Sequence, residues 1–271
     1  MPKGISLHIG VNKLDPKHYD GWEGPLVACE ADATAMHNIA TQKGFSADQL
    51  LTKAATREAV ITAIKKAAET LQPDDIFFLS YAGHGGQVAD ITNDEADFAD
   101  ETWCLYDGQF LDDELNHLWS FFKEGVRILV ISDSCHSGTV TRDDEAAAIK
   151  EENEQGVKFR FMPRDMAAAT YRTNRKFYDD VQKTLPNPPK EVKASVRLIA
   201  GCQDKQLALD GPFNGLFTSN LLRAWEDGKF NGNYEQFYKT IRGTMPSRQQ
   251  PNHYFFGPEH SAFDAEEPFT V

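Results

Sequence analysis

Cysteine is scarce and scattered. The four residues, at 29, 104, 135 and 202, form no CxxC pair and are too dispersed for a zinc cluster or the disulfide framework of a small secreted domain. Positive charge is also short. Twenty-eight Lys and Arg stand against 41 Asp and Glu, a net charge of -13, which disfavours phosphate backbones and anionic lipid. No nucleic-acid or membrane partner is expected, and a cationic ligand suits the chain better. No apolar run is long enough to span a bilayer, and the segment from Met1 to Gly10 lacks the apolar core of a signal peptide. These absences predict a cytoplasmic protein with reduced thiols, and a monomer. There is no internal repeat.

What is present is an alternation of strand and helix signals over 271 residues, enough for a single α/β domain with its own core. Apolar strands are predicted at Gly4 to Val11, Ile76 to Tyr81, Arg127 to Asp133, Ser195 to Ala200 and His253 to Phe256. Helical spacing runs from Leu26 to Ala40, from a cap at Thr56 to Leu71, from Asp112 onward, and over Gly215 to Trp225 and Tyr234 to Arg242. Asp90 to Leu111 reads as acidic and irregular, with a short strand at Trp103 to Tyr106. Between Thr139 and Ser195 the sequence turns polar, with no clear period and many basic residues. A stretch of that length reads as a functional loop or linker.

Two strands end in reactive residues. One delivers Cys135 into the turn Ser134-Cys135-His136-Ser137-Gly138, and the other delivers His84 into Gly83-His84-Gly85-Gly86. In a parallel sheet such ends open on one edge, so a thiol and a base far apart in sequence can meet there. A thiol at neutral pH needs a base or positive potential to act as a nucleophile. The amides of Gly85 and Cys135 are candidate donors for an oxyanion. His136 adjoins the thiol and reads as a support of the turn. A tyrosine-phosphatase loop fails because Thr141 stands where its arginine belongs. An α/β-hydrolase elbow fails because Asp133 stands where that elbow has glycine.

Tyr81-Ala82-Gly83-His84-Gly85 and Asp133-Ser134-Cys135-His136-Ser137-Gly138 closely resemble the two catalytic motifs of the metacaspases. That resemblance implies an α/β fold, a caspase-like three-layer sandwich with a mostly parallel six-stranded sheet flanked by helices. It divides the single domain into a large-subunit-like part (1-138), a variable linker (139-195) and a small-subunit-like part (196-271). The last contains Asn214-Gly215-Leu216-Phe217-Thr218, which looks like a family segment. It implies a cysteine endopeptidase acting on protein or peptide substrates after Arg or Lys. Cys135 would be the nucleophile and His84 the base, with Gly85 at the oxyanion. The cation would be held by Cys29, Asp32 and Asp133, with Ala82 where the family often has serine.

No cofactor is required for this chemistry. The resemblance implies calcium as a possible activator, on Asp100, Asp112 and Asp113, although Arg142 replaces a further family ligand. It also implies linker self-processing, for which Lys150, Lys158, Arg160 and Arg164 are candidate sites in a segment read as accessible. The competing reading is a non-catalytic caspase-like scaffold that binds basic peptides.

Overall fold

A computed structural model describes residues 2–91, 99–135, 142–203 and 206–271. In chain order the elements are β1 (Gly4–Gly10), α1 (Cys29–Gln42), β2 (Ser46–Leu51), α2 (Arg57–Thr70), β3 (Ile76–Ala82), β4 (Gly85–Ala89), β5 (Ala99–Leu105), β6 (Gly108–Leu111), α3 (Asp112–Trp119) and β7 (Arg127–Asp133). There follow α4 (Arg142–Gln155), β8 (Lys158–Phe159), α5 (Arg164–Thr173), α6 (Arg175–Thr184), β9 (Ser195–Ala200), β10 (Leu209–Asp210), α7 (Leu216–Trp225), α8 (Tyr234–Thr244), β11 (Asn252–Phe256) and α9 (Ser261–Ala265).

The central sheet has the order β11-β9-β7-β3-β1-β2. Every neighbouring pair is parallel except β11 with β9. Its middle strands read as continuous apolar runs because both faces are covered. In β3, Phe77 and Leu79 enter one core while Ile76 and Phe78 enter the other. In β7, Ile128 and Val130 separate from Leu129 and Ile131 in the same way. The first core takes Val60 and Ile64 of α2 and Leu118 of α3. The second takes Met36 of α1, Leu221 of α7 and Phe237 of α8. The result is the three-layer, caspase-like α/β arrangement that the motifs imply.

Two strand regions escape the hydrophobic pattern. β2 is an edge strand of sequence SADQLL with no fully buried residue, so burial on one side only leaves no continuous apolar run. The acidic stretch from Asp90 to Leu111 is not irregular over its described part: it holds β5 and β6, which form a separate antiparallel sheet with β4 just before it. The Thr56 side chain accepts from the Ala59 amide at 3.2 Å and caps α2, as its position suggests.

The larger correction concerns the polar segment read as an irregular linker. Its described part holds three helices and a short strand. α4 buries only Ala148, but α6 docks firmly on the body. Tyr178 is fully buried, and its hydroxyl lies 2.6 Å from His18 Nε2 and accepts from the Gln109 amide at 3.1 Å. Gln182 donates to the Ala89 carbonyl and accepts from the Ile91 amide. Phe177, Tyr178 and Val181 form a short apolar stripe, but they stand among so many charged residues that the segment as a whole reads as polar.

Phe177 lies over the Arg57 guanidinium, 5.1 Å from centroid to Cζ. Arg57 in turn makes a bidentate pair with Glu114, at 2.9 and 2.6 Å, with both side chains about nine-tenths buried. Removing one partner of such a pair leaves the other charge without compensation, at a cost of about 3 kcal/mol or more. Arg57→Met should therefore lower the thermal midpoint by about 6 °C or more, and the double change Arg57→Met with Glu114→Leu should recover part of the loss. Equal midpoints for wild type and Arg57→Met, measured by calorimetry, would show the pair to be dispensable.

Candidate active site

Strand β7 ends at Asp133, and Cys135 follows two residues later with 2% exposure. The parallel neighbour β3 ends at Ala82, directly opposite Asp133 in register, and His84 follows it. The sheet thus brings the ends of both motifs to one edge. Close approach there depends on Gly85: a Cβ on it would fall 1.8 Å from the Cys135 carbonyl oxygen. The turn is fixed by Tyr81, whose hydroxyl donates to the His84 and Cys104 carbonyls at 2.7 and 3.0 Å.

His84 is buried, and its Nε2 donates to the Gly24 carbonyl at 3.0 Å. That bond assigns the neutral tautomer and leaves Nδ1 as the acceptor nitrogen, with no hydrogen-bond partner among the described residues. A main-chain carbonyl therefore orients the ring, a task that a carboxylate performs in a triad. Burial pushes the imidazole pKa down to about 4, against the raising effects of the Gly24 carbonyl and Asp210. The Trp22 ring packs against it, with centroids 4.8 Å apart. Trp22 and Gly24 lie in a loop with no periodic signal, so nothing in the pattern of residues points to them. The Cys135 sulfur accepts from the Ala208 amide at 2.9 Å. His136 lies outside the described residues.

The centre of this edge is filled by the chain itself. Arg160, read from sequence as an exposed linker residue, is 0% exposed. Its carbonyl oxygen accepts from the amides of both Gly85, at 3.0 Å, and Cys135, at 3.2 Å. Its own amide donates to the Ala208 carbonyl at 2.8 Å, and β8 just before it pairs antiparallel with β10. Beyond it, the Met162 amide donates to the Gly85 carbonyl at 2.7 Å. Residues Lys158 to Met162 are thus held as an extended strand between β10 and Gly85, the way a peptide adds to a sheet edge.

The Arg160 guanidinium lies among three carboxylates. Nη2 donates to Asp32 Oδ2 at 2.5 Å and to Asp210 Oδ1 at 2.8 Å, and Nε to the same Asp210 oxygen at 3.2 Å. Nη1 reaches the Asp133 carbonyl at 3.1 Å and its Oδ2 at 3.0 Å. Each carboxylate also has its own support. Asp32 accepts from the Asn214 side chain and the Gly215 amide, Asp133 from the Thr218 amide and hydroxyl, and Asp210 from the Val27 and Ala28 amides. Burial pushes the Asp32 carboxyl up to about 6, while the guanidinium pulls it down and Asp133 pushes it further up. The Arg160 pKa is raised because the three carboxylates and the Cys29 thiol outweigh the burial that lowers it.

Gly215 closes the seat, since a Cβ there would stand 2.7 Å from both the Arg160 Cζ and Asp133 Oδ2. Cys29 and Ala82 form an apolar wall with Leu26. Asn12, from the first loop, accepts from the Cys29 and Glu30 amides and so fixes the start of α1.

The sequence reading found Asp32 and Asp133 but not Asp210. The available signal was the end of Leu207-Ala208-Leu209-Asp210, an apolar stretch closed by one acid. Arg160 also carried a signal, since it is followed by Phe161 and Met162 and preceded by Phe159.

Asp100, Asp112 and Asp113 lie at the junction of β5 and α3. Asp112 keeps an exposed flank, yet its carboxyl is pushed up by the protein packed around it and then by Asp113, Glu101 and Asp100. Concentrated negative charge of this kind suits a hard divalent cation. Among the described residues, however, no three His, Cys, Asp or Glu side chains are grouped so as to hold a metal. The fit to calcium is therefore incomplete on the described residues alone. No described helix is long and apolar enough to cross a membrane.

A model of the caspase domain of the peptidase C14 family matches residues 5–260. The chain belongs to this family. Among curated proteins, metacaspase-1 of Saccharomyces cerevisiae is 35% identical over 150 residues, covering 50% of this chain and 33% of that protein. Metacaspase-1 of Schizosaccharomyces pombe is 27% identical over 274 residues, covering 89% and 63% respectively. The chain therefore spans between a third and just under two thirds of these relatives. A crystal structure of protein GSU0716 from Geobacter sulfurreducens is 52% identical, with a TM-score of 0.89 over 100% of this chain and 99% of that one. Caspase-1 of Spodoptera frugiperda, at 10% identity, 94% and 86% coverage and a TM-score of 0.55, shares the caspase fold.

The seat of Arg160 makes a direct prediction about this caspase domain. In Cys135→Ala protein, trypsin should cut after exposed residues such as Lys150 and Lys176 and spare the 160–161 bond, because the Arg160 side chain is inaccessible. Adding Gly215→Ala should crowd the guanidinium out and expose that bond. Equally rapid trypsin cleavage at Arg160 in both proteins, read by mass spectrometry, would contradict the burial.

Proposed function

We propose that the protein is a metacaspase-type cysteine endopeptidase that cleaves after a basic residue, and that its first substrate is its own Arg160–Phe161 bond. One observation carries the reading. Arg160 presents its carbonyl to two converging amides and its cation to buried carboxylates, the placement a peptidase requires of the residue before the scissile bond.

In the proposed reaction the Cys135 side chain turns from the Ala208 backbone toward His84, whose Nδ1 takes the thiol proton, and the sulfur attacks the carbonyl carbon of Arg160. Charge develops on the carbonyl oxygen, where the Gly85 and Cys135 amides stabilise it by about 3 kcal/mol per donor. His84 then returns the proton to the nitrogen of Phe161, the carbon–nitrogen bond breaks, and Arg160 remains as a thioester on Cys135. Water, with His84 again as base, hydrolyses the thioester to a carboxylate and restores the thiol. Burial keeps the imidazole neutral throughout the physiological range, so its free nitrogen can accept a proton.

Peptides with a basic residue before the cut would enter the same seat once the linker has left it. Calcium remains a proposed activator through the carboxylates near Asp112. When bound near Asp112 it would offset the mutual repulsion of these carboxylates.

Incubated wild-type protein should yield fragments 1–160 and 161–271, identified by a new amino terminus at Phe161. Cys135→Ala and Arg160→Ala should remain whole at that bond. The processed protein should hydrolyse an arginyl fluorogenic peptide, and Asp133→Asn should lower kcat/KM by about 100-fold, as loss of a buried charge partner does. Identical banding and equal turnover for wild type and Cys135→Ala would reject the enzyme and favour a scaffold. For calcium, processing should accelerate between micromolar and millimolar metal and lose that response in Asp112→Asn. A flat titration would remove the activator role.

A further inference from the structure

We propose that Asp210 makes the cation seat selective for arginine over lysine, an inference that rests on the peptidase reading above. The two carboxylates legible in the sequence, Asp32 and Asp133, address the terminal nitrogens of Arg160. Asp210 does something different. A single oxygen, Oδ1, receives both Nε and Nη2, so it grips the edge of the guanidinium plane. Nε is a donor that lysine does not possess.

The carboxylate is also held in place independently of the occupant. Oδ2 accepts from the Val27 amide at 2.7 Å and Oδ1 from the Ala28 amide at 3.3 Å. With Arg160 in place the Asp210 side chain keeps 2% of its surface, and the two amides hold it whatever the occupant.

A lysine in this seat would place its ammonium near the position of the Arg160 Cζ, because its stem carries the charge one bond short of the terminal nitrogens. It has three donors on one atom against five spread over a planar fork. The acceptors now engaged are Asp32 Oδ2, Asp210 Oδ1, Asp133 Oδ2 and the Asp133 carbonyl, arrayed around the fork. An ammonium at the centre cannot reach all of them at hydrogen-bond distance. At least one buried carboxylate then loses its cationic partner, the costly outcome in a site from which water is excluded. On the wall formed by Leu26, Cys29 and Ala82, a thiol is the only polar group, and it is a weak acceptor.

The test compares two fluorogenic peptides identical except for Arg or Lys before the cut, using protein whose linker has been processed. Wild type should favour the arginyl peptide by about 30-fold or more in kcat/KM, the scale on which sites built for specific donors reject analogues that lack them. Asp210→Asn should lower arginyl turnover by about 30-fold and lysyl turnover by less than about 3-fold, so that the preference collapses. In cis, Arg160→Lys should process at least about 10-fold more slowly than wild type.

Equal turnover of the two peptides by active wild-type protein would overturn the inference and leave the peptidase reading intact. So would an unchanged ratio in Asp210→Asn. Wild type as inert as Cys135→Ala on both peptides would remove the peptidase reading, and this inference with it. The wild-type ratio needs no variant, so a misfolded Asp210→Asn would not shelter the idea.

Discussion

The interaction on which the rest of the site depends is a single buried guanidinium facing three buried carboxylates. Desolvating one ion costs several kcal/mol even after the protein relaxes, and here four ionisable groups are buried with a net excess of two negative charges. The arrangement is tolerable because each carboxylate has donors besides Arg160. Asp32 and Asp133 take backbone amides from Gly215 and Thr218 at the start of α7, where the helix dipole also favours negative charge. Asp210 takes amides from the turn before α1. The seat is therefore built by the fold, and the cation completes it. Its three acids come from α1, the end of β7 and β10, so closing the seat also ties the amino-terminal and carboxy-terminal parts of the chain together.

Occupancy by the chain's own linker changes the energetics of that seat. A tethered arginine has a high effective concentration, and no external peptide meets an empty pocket while it is there. The same seating also fixes the backbone. With the guanidinium anchored, the Arg160 carbonyl lies between two amides that are rigid because Gly85 packs directly against the Cys135 backbone. In the proposed reaction, specificity and positioning would thus be one structural event. The orientation of the thiol differs: its sulfur is engaged by the Ala208 amide, on the same strand segment that pairs with the linker. Ala208 therefore contacts both the nucleophile and the backbone of the residue it would attack.

Much of this could be read from the chain alone, for physical reasons that also explain what could not. β3 and β7 are buried on both faces, so their apolar runs stood out, and the reactive turns that follow them were legible as sheet-edge positions. β2 and α6 were not legible. β2 is a polar edge, and α6 has few apolar residues among many charged ones and is anchored partly through hydrogen bonds of Tyr178 and Gln182. Asp32 and Asp133 were reached through motif resemblance, whereas Asp210 stands on a two-residue strand with no motif of its own. The reading of Arg160 as exposed failed because charge predicts exposure only when no counter-charge awaits it. The three acids that bury it are distant in sequence, and only the fold assembles them.

The two sides of Arg160 are held to the body in different ways, and this asymmetry bears on what a cut there would release. Amino-terminal to it, α4 buries a single alanine and is linked to its surroundings largely by polar contacts, such as Glu152 to the Phe159 amide and Glu151 to Arg248. Partly exposed charge pairs of the latter kind add little stability. Carboxy-terminal to it, Met162 is buried in the main core and α6 is fixed by Tyr178, Gln182 and the stack of Phe177 on Arg57. Severing the 160–161 bond would thus leave α5 and α6 docked. The strand ending at Arg160 would lose its covalent link to that anchored half, and it would then be retained by the guanidinium, its new carboxylate and the short pairing with β10. Whether the seat empties depends on competition between that one arginine and an incoming peptide that can make the same contacts. The pocket that defines the cut would then also govern the rate at which the enzyme becomes available to other chains.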